Sequence, residues 1–187
     1  TLSGEGIGTS FTTGTVTVSN PDGVFKIDDS VMGTTAITKL TIASGGTFDL
    51  NGKNFTSPTA TFLVDGTLKL QGGETVANAP TLNSGSNVVY TKTSGSTVVK
   101  DWSYQSLTLD GVGGTFLLPS DKVLSGTLTV NAGVFDQGAR SFTAQGIVIG
   151  SQGAWVNNST GDITIGAGGV VNSGYIRLDG SGVGPGN

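Results

Sequence analysis

The chain repeats itself, and that repetition limits its possible folds more than any other feature. Leu107-Thr108-Leu109, Leu128-Thr129-Val130 and Ile147-Val148-Ile149 are triplets of one kind. Each precedes Gly, a small or β-branched residue and an aromatic, as in Gly114-Thr115-Phe116, Gly133-Val134-Phe135 and Gly153-Ala154-Trp155. A period of roughly 20 residues built from strand-length units marks a repeat architecture. Alternation along each triplet puts its outer residues on one face and its middle residue on the other.

Composition agrees with strands and turns. Glycine supplies 32 of 187 residues and charged residues only 12%. Glycine weakens helices by about 1 kcal/mol per position, while disordered chains are richer in charge. Hairpin folds place turn signals every 8–12 residues or so and return antiparallel. Here the turn sites recur in phase with the triplets, so like strands can stack on like strands. The expectation is an all-β, single-stranded parallel β-helix (β-solenoid) with rungs of roughly 19–21 residues. Roughly eight rungs at strand spacing are expected. The alternative is an antiparallel β-sandwich.

Three segments are expected. Residues 1–36 form an N-terminal cap or irregular β segment, with a turn at Asn20-Pro21-Asp22-Gly23 and a possible helical turn at Asp28-Asp29-Ser30. Residues 37–179 form the solenoid, with rungs opening at Leu40-Thr41-Ile42 and Leu68-Lys69-Leu70. Ile163-Thr164-Ile165 with Gly169-Val170-Val171 reads as another such unit, and Phe55-Thr56 and Phe142-Thr143 suggest a third short strand per rung. Residues 180–187 read as a Gly-rich tail or linker. Phe48, Phe116, Phe135 and Trp155 form a candidate aromatic ladder, each preceded by a Gly expected at φ > 0.

The unit running from Leu128-Thr129-Val130 through Asn131-Ala132-Gly133, Phe135, Gly138 and Phe142-Thr143 to Ile147-Val148-Ile149 resembles the repeats of bacterial surface β-solenoids. Segments 106–116 and 39–53 share that character. Autotransporter passenger domains and filamentous-haemagglutinin-type adhesins are the families resembled. The resemblance implies a right-handed coil and an extracellular or cell-surface stalk, fibre subunit or adhesin segment. It carries over no catalytic residue.

Other chemistries fare less well against the residues. No His is present to serve as a base near neutral pH. Acid/base hydrolysis needs two converging carboxylates, and the only adjacent pair is Asp28-Asp29. Asp22, Asp65, Asp110 and Asp179 precede Gly, which is first a turn signal. No catalytic, cofactor-binding or metal-binding residue is expected, and no enzyme activity. A carbohydrate-binding or carbohydrate-active module is the competing reading, with Trp102 and Tyr104 as candidate sugar-stacking rings. Ice binding is a minor third, because the middle-residue column Thr41, Lys69, Val89, Thr108, Thr129, Val148, Thr164 and Arg177 is broken by charge.

Net charge is −4 and scattered, with no basic patch for nucleic acid. No apolar run is long enough for a membrane span. Cysteine does not occur in the chain. The start at Thr1 without Met suggests a processed form or excised segment. Ile176-Arg177-Leu178 ends the repeat without an evident cover, which makes it a candidate assembly edge. The expected partners are further copies in a homopolymer or further domains of a longer chain, with surface polysaccharide as a lesser possibility.

Overall fold

The structure, a computed structural model, describes residues 14–19, 21, 23–27, 31–32, 37–56 and 61–179. Their strands are parallel and stack as a β-solenoid of about seven turns; 59% of the described residues are strand and none is helix. Parallel pairing removes the β-sandwich alternative. The chain divides into two compact units, residues 1–88 and 89–187.

The first unit has three strand columns. One holds β1 (Thr15–Val18), β4 (Lys39–Ile42), β7 (Thr61–Val64) and β9 (Thr81–Leu82). Another holds β2 (Val24–Lys26), β5 (Thr47–Asp49) and β8 (Thr67–Leu70). The third pairs β3 (Val31–Met32) with β6 (Asn54–Phe55). Val16, Leu40 and Phe62 stack in register, as do Val18, Ile42 and Val64, all buried. Phe25 lies over Phe48 with ring centroids 5.5 Å apart, and Leu68 continues that stack.

Two expectations change here. Leu68-Lys69-Leu70 does not reopen the column of Leu40-Thr41-Ile42; Phe62-Leu63-Val64 does, while Leu68 follows Phe48. Every side of the coil carries the same in–out alternation, so a triplet fixes a strand but not its side. Residues 15–32 also contribute parallel strands that pair with the following turn, so the described coil starts within the segment expected to cap it. Asn20, Asp22, the Asp28-Asp29-Ser30 turn and the tail 180–187 lie outside the described residues.

β10 (Asn87–Tyr90) spans the division between the units. The second unit continues with β11 (Gly95–Val98), β12 (Ser106–Leu117), β13 (Lys122–Val123), β14 (Thr127–Asp136), β15 (Phe142–Asn157), β16 (Ile163–Asn172) and β17 (Tyr175–Leu178). Leu107, Leu128 and Ile147 are in register, as are Leu109, Val130 and Ile149, and all six are buried. Phe116, Phe135 and Trp155 stack likewise, each at most 1% exposed. Burying one such side chain contributes roughly 1.5–3 kcal/mol. Phe48 is not in this ladder; it belongs to the stack on Phe25 in its own unit.

The glycines before the aromatics serve closeness more than dihedral freedom. Only Gly133 among Gly46, Gly114, Gly133 and Gly153 has positive φ; Gly45 and Gly113, one residue earlier, have it at two of the other turns. A Cβ on Gly153 would lie 2.0 Å from the Val130 carbonyl oxygen, and one on Gly114 would lie 2.1 Å from that of Lys92. Successive backbones approach too closely at these corners for any side chain.

Candidate functional site: the last turn of the coil

The final turn consists of β16 and β17, both laid in parallel on β15. Their register corrects the expected order of the repeat. Ile163-Thr164-Ile165 stacks on Phe142-Thr143-Ala144, not on Ile147-Val148-Ile149. Gly169-Val170-Val171 takes the place over Gly146-Ile147-Val148, and Ile176 lies over Trp155 at the end of the aromatic column. The ladder slips between Ala144 and Gly146, where Gly166-Ala167-Gly168 adds length on the upper strand. Three small residues accommodate that bulge without a side-chain clash.

Position in the stack decides burial. Phe142, Ala144 and Trp155 are covered, whereas Ile163, Ile165 and Ile176 above them are partly exposed. Val170, Val171, Tyr175 and Leu178 are 44–57% exposed. Ile163 and Ile165, expected to be buried, instead form part of an open core layer. Among the described residues, β17 pairs on one edge alone, with Ala154–Asn157 of β15. An unpaired strand edge presents N–H and C=O groups that can template another strand.

Local hydrogen bonds fix this turn in place. Ser173 N–H donates to the Ile149 carbonyl at 2.8 Å, and Gly174 N–H to Asn172 Oδ1 at 3.0 Å. Asp179 N–H donates to the Asn157 carbonyl at 2.8 Å. Arg177 Nε pairs with Asp179 Oδ2 on the outer face, and this carboxylate raises the guanidinium further above its ordinary value. Both side chains are about half exposed, so solvent screening leaves the pair a weak contributor to stability. Of the candidate edge residues, Ile176 and Leu178 therefore turn toward the core column and Arg177 toward solvent.

Beneath this layer lies a polar knot that sequence reasoning missed. Gln137, 1% exposed, accepts from the Trp155 indole N–H at 3.2 Å and donates to the Arg140 carbonyl at 2.7 Å. Asn157 donates to the Gly161 carbonyl at 3.2 Å. Glutamine between two turn residues carries no sequence mark of burial.

The candidate sugar-stacking pair divides. Trp102 is half-buried, and its ring sits 6.3 Å from that of Tyr104 at a 47° tilt. Tyr104 is 1% exposed; its hydroxyl donates to the Lys100 carbonyl at 2.7 Å and lies 3.1 Å from the Tyr90 hydroxyl. Burial first, then Tyr90, pushes the Tyr104 phenol well above its ordinary value. Tyr104 thus offers no free face to a sugar, because its ring and hydroxyl are used inside the coil.

Nearby, hydrogen bonds from Lys122 and then Ser120 hold the Asp101 carboxyl below its ordinary value. Asp65 accepts from Asn83 at 2.7 Å and Asp121 from Ser141 N–H at 2.9 Å, so these acids serve as turn anchors. Among the described residues, no three His, Cys, Asp or Glu side chains gather where they could hold a metal. No described helix is long and apolar enough to cross a membrane. Set beside known proteins, the chain matches no family model, no curated protein and no solved structure.

Proposed function

We propose that this chain is a structural module, a stalk, fibre subunit or adhesin segment, whose last turn is continued by another β-strand edge. The surface setting rests on the resemblance of its repeats to bacterial surface solenoids. The assembly role is supported by one observation: the core columns run to a final layer whose inward-facing apolar side chains stay 44% exposed at Val170, over Ile147, and 47% at Leu178, over Asn157. A partner strand on β17 would bury this layer and satisfy its backbone groups together. Contacts of this head-to-tail kind propagate unless rotation closes them.

The test is the mass of the 1–187 chain across concentration, for the native sequence and for Leu178→Lys, with imaging of the native material for fibres. Association that grows with concentration and disappears in the variant is expected, since a charge in the edge column opposes pairing. The proposal fails if both proteins stay monomeric and the β17 amides exchange as fast in the native material as in the isolated chain.

A further inference from the structure

Asn51-Gly52 is the chain's one Asn-Gly dipeptide. Such a pair can modify itself. The Gly52 backbone nitrogen loses its proton and attacks Cγ of Asn51; an N–Cγ bond forms, the Cγ–Nδ2 bond breaks, and ammonia leaves with the proton. Water then opens the five-membered imide at either carbonyl, leaving aspartate or its isoaspartyl isomer. No oxidant or reductant is needed, and glycine offers no side chain to obstruct ring closure.

The fold restrains each reacting group separately. Asn51 and Gly52 both have positive φ, 50° and 74°, in a tight corner. Asn51 N–H donates to Asp49 Oδ1 at 2.8 Å, and the Asn51 side-chain amide donates to the Ile27 carbonyl at 3.0 Å, which ties it to the preceding turn. The Gly52 N–H donates to Glu74 Oε1 at 3.1 Å, from the following turn. The same carboxylate accepts Gln71 N–H and Gly72 N–H, the latter at 2.6 Å, and Glu74 is only 1% exposed. Turn geometry alone would explain a glycine here; it does not explain a buried carboxylate placed on the one N–H that must ionise.

We infer that Asn51 is a latent self-modification site, held shut by Glu74. Loss of the Gly52 proton would build a second negative charge directly against the buried Glu74 carboxylate. The hydrogen bond must also break before the nitrogen can turn toward Cγ. An isoaspartyl link would add a backbone carbon between the buried Leu50 and the Lys53 N–H that donates to the Leu50 carbonyl at 2.8 Å. The corner could not then close as before. The modification would accumulate only in chains that have opened, and would mark them irreversibly.

The experiment incubates the folded native chain, the same chain in urea, and folded Glu74→Ala and Glu74→Gln at mildly alkaline pH. Peptide mapping follows aspartyl and isoaspartyl product at Asn51, with circular dichroism on the same samples and the exposed Asn158 as internal control. Asn51 should react at least about tenfold more slowly in the folded native chain than in urea, the scale of one charge-assisted hydrogen bond. Glu74→Ala should remove most of that protection. Glu74→Gln keeps an acceptor without the charge, so its rate should fall between, and it decides the matter if Glu74→Ala does not fold. Equal rates in folded native and Glu74→Gln chains would overturn the role of the charge. A folded native rate equal to that in urea would overturn the protection itself.

Discussion

The indole nitrogen of Trp155 donates to Gln137 Oε1 across 3.2 Å inside the coil, and the Gln137 amide passes the connection to the Arg140 carbonyl at 2.7 Å. One side chain thus satisfies two groups from different turns. Gln137→Ala should strand both and cost about 3 kcal/mol, read as a lower denaturant midpoint at unchanged slope. Gln137→Glu retains the acceptor for Trp155 but sets a carboxylate against the Arg140 carbonyl. Its deficit should shrink as the pH falls and the new carboxyl protonates.

Phe135 lies in the middle of the second unit's aromatic column, 6.3 Å from Trp155 and 5.2 Å from Phe142 between ring centroids. Phe135→Ala should destabilise by about 3–5 kcal/mol as a core truncation. Ile176→Ala, in the same column but partly exposed, should cost clearly less. Equal losses in thermal melts would contradict the difference in burial.

Gly153 and Gly73 make a paired test of backbone approach. A Cβ at Gly153 meets the Val130 carbonyl oxygen at 2.0 Å, whereas one at Gly73 meets nothing within 4 Å. Gly153→Ala should lose about 1–3 kcal/mol or more, and Gly73→Ala should stay within about 0.5 kcal/mol of the parent. Chemical denaturation of the two variants checks both.

Tyr104 gives the second unit an alkaline limit. Its folded phenol is raised well above 10.0, chiefly by burial, so the unfolded chain loses this proton first. The stability from keeping Tyr104 neutral is complete below pH 10 or so and is lost as the pH climbs above that toward the folded value. Phenolate absorbance from this residue should therefore rise together with unfolding, not before it. In Tyr104→Phe that portion of the absorbance step should vanish.

Strand periodicity was legible because parallel stacking repeats one local demand, an inward apolar pair around an outward residue, as at Leu107, Leu128 and Ile147. Phe116, Phe135 and Trp155 were legible for the same reason. The side of the coil each strand occupies was not, since Phe62-Leu63-Val64 and Leu68-Lys69-Leu70 alternate alike but stack in different columns. The partial exposure of Ile163 and Ile165 was not legible either, since an in-phase triplet reads alike in a covered turn and in the last one. The hydrogen bonding of Tyr104, Gln137 and Glu74 depends on residues brought together from separate turns, which no local pattern records.

Several corners close on themselves. Gly138 N–H is held by Asp136 Oδ1 at 3.0 Å, Ser159 N–H by Asn157 Oδ1 at 2.9 Å, and Gly174 N–H by Asn172 Oδ1 at 3.0 Å. Each bend is set by a residue two positions earlier in its own turn. A complete turn duplicated or deleted at such a corner would therefore bring or remove its own bend and leave the bends on either side intact. Length in a chain like this is a quantity that recombination can adjust in whole units, with the architecture inherited unchanged.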